Sequence, residues 1–85
     1  MATHYDDILN KLRERIIQKH EEYGTSYLDR PFRWLRNRLQ GELNEMDGEL
    51  FSIHLSGENA ITEALDVAVC ALLIADKKNR EEAEP

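Results

Sequence analysis

Nine consecutive residues, "VAVCALLIA" (67–75), are apolar. In a helix they make about two and a half turns. Such a segment has no wet side and must be covered all round. It falls far short of the ~20 residues that a bilayer span needs. It therefore predicts a central helix of a water-soluble all-α domain. The other helices of an 85-residue chain cover only part of that surface. The surplus predicts association with another copy, as a homodimer or homotetramer through this third helix.

Two earlier segments supply the covering faces. Tyr5, Ile8, Leu9, Leu12, Ile16, His20 and Tyr23 recur at three- and four-residue spacing, which marks one face of a first helix. Thr3 is its expected N-cap, Asp6 and Asp7 suit the positive end of its dipole, and Gly24 is its expected stop. Lys11, Arg13, Glu14, Gln18 and Glu21 cover much of the other side. "TSYLDRP" (25–31) reads as a connector, with Asp29 as a cap and Pro31 in a first turn. Phe32, Leu35, Leu39, Leu43, Met46 and Leu50 then form the stripe of a second helix ending near residue 50. Gly41 and Gly48 lie within it, each costing about 1 kcal/mol against alanine. "FSIHLSG" (51–57) reads as a loop. Ser56 or Asn59 would cap the third helix, expected over about 58–79, with residues 81–85 as a frayed tail. The expectation is one domain over 1–85, an antiparallel helical bundle of about three helices completed by oligomerisation.

Charge narrows the partners. The net charge is −6, which disfavours nucleic acid or an anionic membrane as a main partner. Cys70 is the single cysteine, so no intrachain disulfide forms. With no basic-then-apolar leader in view, a cytoplasmic protein is expected. Cys70 itself reads as a buried, inert thiol. His4, His20 and His54 share no metal-ligand spacing.

The carboxylates carry the chemistry. Glu42 and Glu45 stand three apart, as do Glu63 and Asp66. That spacing places each pair on one helical face, with Cβ atoms about 5–6 Å apart. If helices two and three form a hairpin, Glu45 and Glu63 both lie about 7–8 Å from its tip, and Glu42 and Asp66 about a turn deeper. Four acids brought level repel unless a cation sits between them, and hard oxygen donors favour Mg²⁺ or Mn²⁺. Asp66 also abuts the apolar run, where a carboxylate needs a partner or a metal. The alternative is that these are ordinary solvated acids on exposed faces. Among the cations, Arg38 is placed to pair with Glu42, and Arg30, Arg33 and Arg36 flank it. Arg38, its neighbouring arginines and Lys77 read first as solvated charge; the sharper alternative is that one of them, Arg38 or Lys77, grips an anionic oxygen. Tyr23, Tyr27 and Trp34 are either core aromatics or a stacking surface for a base.

Glu-x-x-Glu, 17 residues, then Glu-x-x-Asp resembles the MazG-like all-α nucleoside triphosphate pyrophosphohydrolases. "EALDVAVCALLIADK" (63–77) is similar to that family's second motif helix. "KHEEYGTSYL" (19–28) with "FRWLRNRLQGELNEM" (32–46) looks like its approach to the first, especially in short phage- or cassette-type members. The resemblance covers most of residues 10–78. It implies Mg²⁺ held by Glu42, Glu45, Glu63 and Asp66, and cleavage of a nucleoside triphosphate to the monophosphate and pyrophosphate. Glu42 or Glu45 would take the proton of the attacking water, and Trp34, Arg38 and Lys77 would meet substrate. The family pattern has an acid directly before the first ligand, where this chain has Gly41. A catalytically weak nucleotide-binding member is therefore an alternative, as is a helical interaction module whose third helix is only a seam.

Overall fold

A computed structural model describes residues 4–51 and 57–83, most of them helical. The three helices are α1 (Asp6–Tyr23), α2 (Phe32–Leu50) and α3 (Gly57–Ala83), with a short 3₁₀ helix (Ser26–Asp29) between the first two. No strand occurs among the described residues. Thr3 and Ser56 lie outside them, as does most of "FSIHLSG".

Each helix boundary has a local cause. Gly24 stops α1: its φ of 60° suits a residue without Cβ, and its N–H donates to the His20 carbonyl at 2.7 Å. Pro31, extended at φ −67° and ψ 154°, is the N-cap of α2, so Asp29 does not cap it; Asp29 closes the 3₁₀ turn instead. Helix α3 begins at Gly57, which puts Asn59 inside the helix rather than at its cap. It runs on to Ala83, past the expected end. The charged tail supplies its own support there, with Lys78 pairing to Glu81 and Glu82 and Arg80 to Asp76 at helical spacing.

Helix α3 is the common partner: α2 packs along it and α1 leans on it. The apolar centre is small. Among the described residues, Leu35 and Val69, each 3% exposed, are its buried hydrophobic residues. Each contributes about 1.5–3 kcal/mol by burial. The apolar run is only partly covered, as expected for one chain: Ala71 and Ala75 are exposed, and Leu72 is 43% exposed.

The buried face of α1 differs from the expected stripe. Tyr5, Ile8, Leu9, His20 and Tyr23 are exposed, while Leu12, Arg15, Ile16 and Lys19 are half-buried. Their spacing of 3, 4 and 7 is still helical, but the face is rotated to bring two long cations inward. The cause lies opposite: Glu42 and Asp66 are buried. Arg15 and Lys19 lay their aliphatic stems along the interface and offer charge to those acids.

Candidate functional site

Helices α2 and α3 place acids where a core would ordinarily place hydrophobics. Glu42 is one heptad beyond Leu35, on the same side of α2, and is 7% exposed. Asp66 precedes Val69 by three residues on α3 and is 6% exposed. Glu63, one turn before Asp66, is half-buried, and Glu45, one turn after Glu42, is exposed.

Three of the four acids converge. Glu42, Glu45 and Glu63 each bring a carboxylate oxygen within 4.8 Å of the others. Neither Glu42 Oε2 nor Glu63 Oε2, both buried, has a hydrogen-bond partner. Burial pushes the Glu42 carboxyl above the usual range, with Glu45 and Asp66 adding to the effect and Arg38 and Lys19 opposing it. Glu63 is also raised, first by burial, then by its hydrogen bond to Glu45 and the charges around it. Both shifts have one physical origin: the negative forms are crowded and poorly solvated.

Asp66 stands apart from this trio. Arg15 Nε donates to its Oδ1 at 2.5 Å and Arg15 Nη2 to its Oδ2 at 2.9 Å. This is a two-pronged, charge-assisted pair across 51 residues of chain. Sequence reasoning missed Arg15. A signal was available: Arg15 follows Leu12 by three residues and precedes Lys19 by four, so it belongs to an inward face once cations are admitted to it.

A cavity of about 370 Å³ opens beside the acids, among α1, the 3₁₀ turn, α2 and α3. Glu42 and Asp66 form part of its wall, joined by Lys19, Arg38, Tyr23, Tyr27, Trp34 and Cys70. Arg38 stands 3.7 Å from Glu42, the expected pairing one turn apart. Trp34 is 41% exposed, with the Arg30 guanidinium 4.8 Å from its ring centre. Lys77 does not line the cavity. Its ammonium donates to the Arg30 carbonyl and lies 4.8 Å from the Phe32 ring centre. Cys70 is half-buried and burial pushes its thiol up, which keeps it protonated and a poor nucleophile.

The donor set fits a hard divalent cation. It is all carboxylate oxygen, and it carries two buried oxygens with no partner in the protein. A buried ionised carboxylate without a partner is costly. A divalent cation held by Glu42, Glu45 and Glu63 would offset that cost.

Comparison with family models, characterised proteins and solved structures finds no match for the chain.

Proposed function

We propose that the chain is a divalent-cation-dependent nucleotide pyrophosphohydrolase of the MazG-like kind. It would split a ribo- or deoxyribonucleoside triphosphate into the monophosphate and pyrophosphate. The observation that carries this reading is the pair of unpartnered buried oxygens, Glu42 Oε2 and Glu63 Oε2, on an acid trio beside an aromatic-walled cavity. Glu42, Glu45 and Glu63 are the residues that would hold Mg²⁺ or Mn²⁺, with Asp66 available if Arg15 releases it. Bound there, the cation supplies charge neutralisation for the phosphates and a lowered pKa for a water molecule.

The chain's own residues have distinct tasks in this scheme. Trp34, Tyr23 and Tyr27 line the cavity and are its aromatic contacts for a planar base. Arg38 and Lys19 offer cationic donors to phosphate oxygens from the same wall. Lys77 is engaged with the 3₁₀ turn and has no part. Glu45, the exposed member of the trio, would take the proton of a water whose oxygen bonds to phosphorus as the α–β phosphoanhydride breaks and the monophosphate and pyrophosphate separate.

A second copy, packed through α3 in a cytoplasmic antiparallel bundle, belongs to the same proposal. Two features support it. The radius of gyration is 14.4 Å, against about 12 Å for a compact chain of this length. Ile61, Ala71, Leu72 and Ala75 are exposed on α3. No helix among the described residues is long and apolar enough to cross a membrane, so a bilayer is not what covers these residues by spanning.

The deciding experiment is a panel of nucleoside triphosphates, canonical and modified, incubated with protein and Mg²⁺ and read as pyrophosphate release. The expected result is release from at least one, dependent on Mg²⁺. Silence across the panel defeats the enzyme reading. If cation and nucleotide also leave the melting temperature unchanged, the exposed apolar residues of α1 and α3 make an interaction module the better account.

A further inference from the structure

The geometry points to Arg15 as an internal competitor of the cation: by holding Asp66 at both oxygens, it withholds the fourth carboxylate and so sets how tightly the acid trio binds a divalent ion. This inference rests on the cation reading of the Glu42, Glu45 and Glu63 cluster and adds a control on its strength.

Four observations carry it. Asp66 is buried and both its oxygens accept from Arg15, so its strongest acceptor positions are occupied by this chain. Its neighbours one turn back and across the interface, Glu63 and Glu42, each keep a buried oxygen with no partner. The negative charge of Asp66 is close enough to make both hold their protons more tightly, yet Asp66 is outside the trio whose oxygens meet. Arg15 comes from α1, whereas every member of the trio comes from α2 or α3. The acid interface thus contains one carboxylate gripped at both oxygens from within, and two that each keep an oxygen without a donor, Glu42 having Arg38 near its Oε1 alone. Oxygen-ligand sites bind divalent ions more tightly as they gain carboxylates. A fourth acid released beside the trio therefore raises affinity, and the guanidinium that holds it back lowers affinity. Because lysine cannot reproduce the planar two-pronged grip, Arg15→Lys loosens the restraint without removing the charge.

The test is calorimetric titration of Mn²⁺, and separately Mg²⁺, into the chelator-stripped full chain, with circular dichroism confirming helicity. Arg15→Gln is expected to bind about tenfold more tightly than the parent, since Asp66 joins the ligands. Asp66→Asn alone should stay within about threefold, because Asp66 is not a ligand while Arg15 holds it. Arg15→Gln combined with Asp66→Asn should return to the parental affinity. If Arg15→Gln does not fold, Arg15→Lys must show tightening of the same sign.

Three results overturn the inference while leaving the cation site intact: no tightening in the folded Arg15 variant; tightening that survives in the double variant, which marks a mere loss of nearby charge; or loss of binding in Asp66→Asn as severe as in Glu42→Gln. Absence of binding in the parent and every variant removes the cation site itself, and this inference with it.

Discussion

Helix α3 carries acids at two places, and the chain treats them differently. Toward its C-terminal end, Asp76 accepts from the Tyr27 hydroxyl at 2.5 Å and from Arg80 Nε at 2.8 Å. Those two donors, the tyrosine first, hold Asp76 below the usual carboxylate range. The contact ties the 3₁₀ turn to α3, and Lys77 reinforces it through the Arg30 carbonyl. Nearer the N-terminal end, Glu63 meets Glu42 and Glu45, and two buried oxygens have no partner. Where an acid serves the fold, the sequence provides its donors. Glu42 has Arg38 near its Oε1, but its Oε2 and that of Glu63 accept from no donor, and that is the cost the proposed cation would offset.

The sharpest way to break this contrast is to neutralise one acid at each place. Glu42→Gln or Glu63→Gln removes a cation ligand with an unpartnered oxygen. Each should reduce Mg²⁺-dependent pyrophosphate release by about a hundredfold or more, since charge stabilisation in such sites is worth several kcal/mol. Neither should unfold the cation-free protein. Asp76→Asn should leave cation affinity unchanged and lower the melting temperature instead. Equal loss of activity from both ends would erase the distinction.

Stability without cation should move in opposite directions at the two places. Glu42→Gln relieves a buried charge, so its cation-free melting temperature at neutral pH should rise by about 4–8 °C, the equivalent of about 1 kcal/mol in a domain of this size. Tyr27→Phe deletes the hydroxyl that Asp76 accepts from, and its melting temperature should fall by a few degrees. A thermal scan in chelator decides both signs.

The pH dependence sharpens the same point. The Glu42 and Glu63 carboxyls titrate above the ordinary glutamate value of about 4.3. In that window the folded state binds more protons than the unfolded state. These two groups therefore stabilise the fold below the ordinary value, and that contribution is lost as pH rises through their raised pKa values. Asp76, with its lowered pKa, has the reverse sign: its contribution is present above the ordinary aspartate value and is lost as pH falls through the depressed one. The advantage of Glu42→Gln over the parent should thus shrink steadily toward pH 4. Chemical denaturation in chelator at several pH values measures it, and a constant advantage would place its origin elsewhere.

The legible and illegible parts of this molecule follow from which interactions are local. The three helices, the acid pairs and the Arg38–Glu42 contact are readable because each depends on spacing of three or four residues. The apolar run of α3 announced the central helix for the same reason. Three features were not readable that way. Arg15 and Lys19 turn inward because Asp66 and Glu42 wait on other helices, and a hydrophobic stripe gives no weight to a cation's aliphatic stem. Asp66 looked equivalent to Glu63 by spacing, but its partner comes from 51 residues away. The tail read as frayed from composition, whereas its charges alternate in a helical register and carry α3 to Ala83.

Gly41 offers the smallest and most discriminating perturbation. It lies in α2 directly before Glu42, is exposed, and a Cβ built there meets nothing within 4 Å. Gly41→Ala should therefore stabilise the chain by about 0.5–1 kcal/mol through helix propensity alone, with cation affinity unchanged. Gly41→Glu adds the acid expected by resemblance, at a position with room for it. Its neighbour Glu42 faces inward while position 41 faces solvent, about 100° around the helix. A side chain there reaches cation only from outside the trio. The expected result is a stability gain close to that of alanine and a rise in activity of no more than about threefold, as for a surface charge. A large rise in pyrophosphate release, with affinity to match, would mean that the exposed rim of α2 belongs to the site and that the buried trio is only part of it.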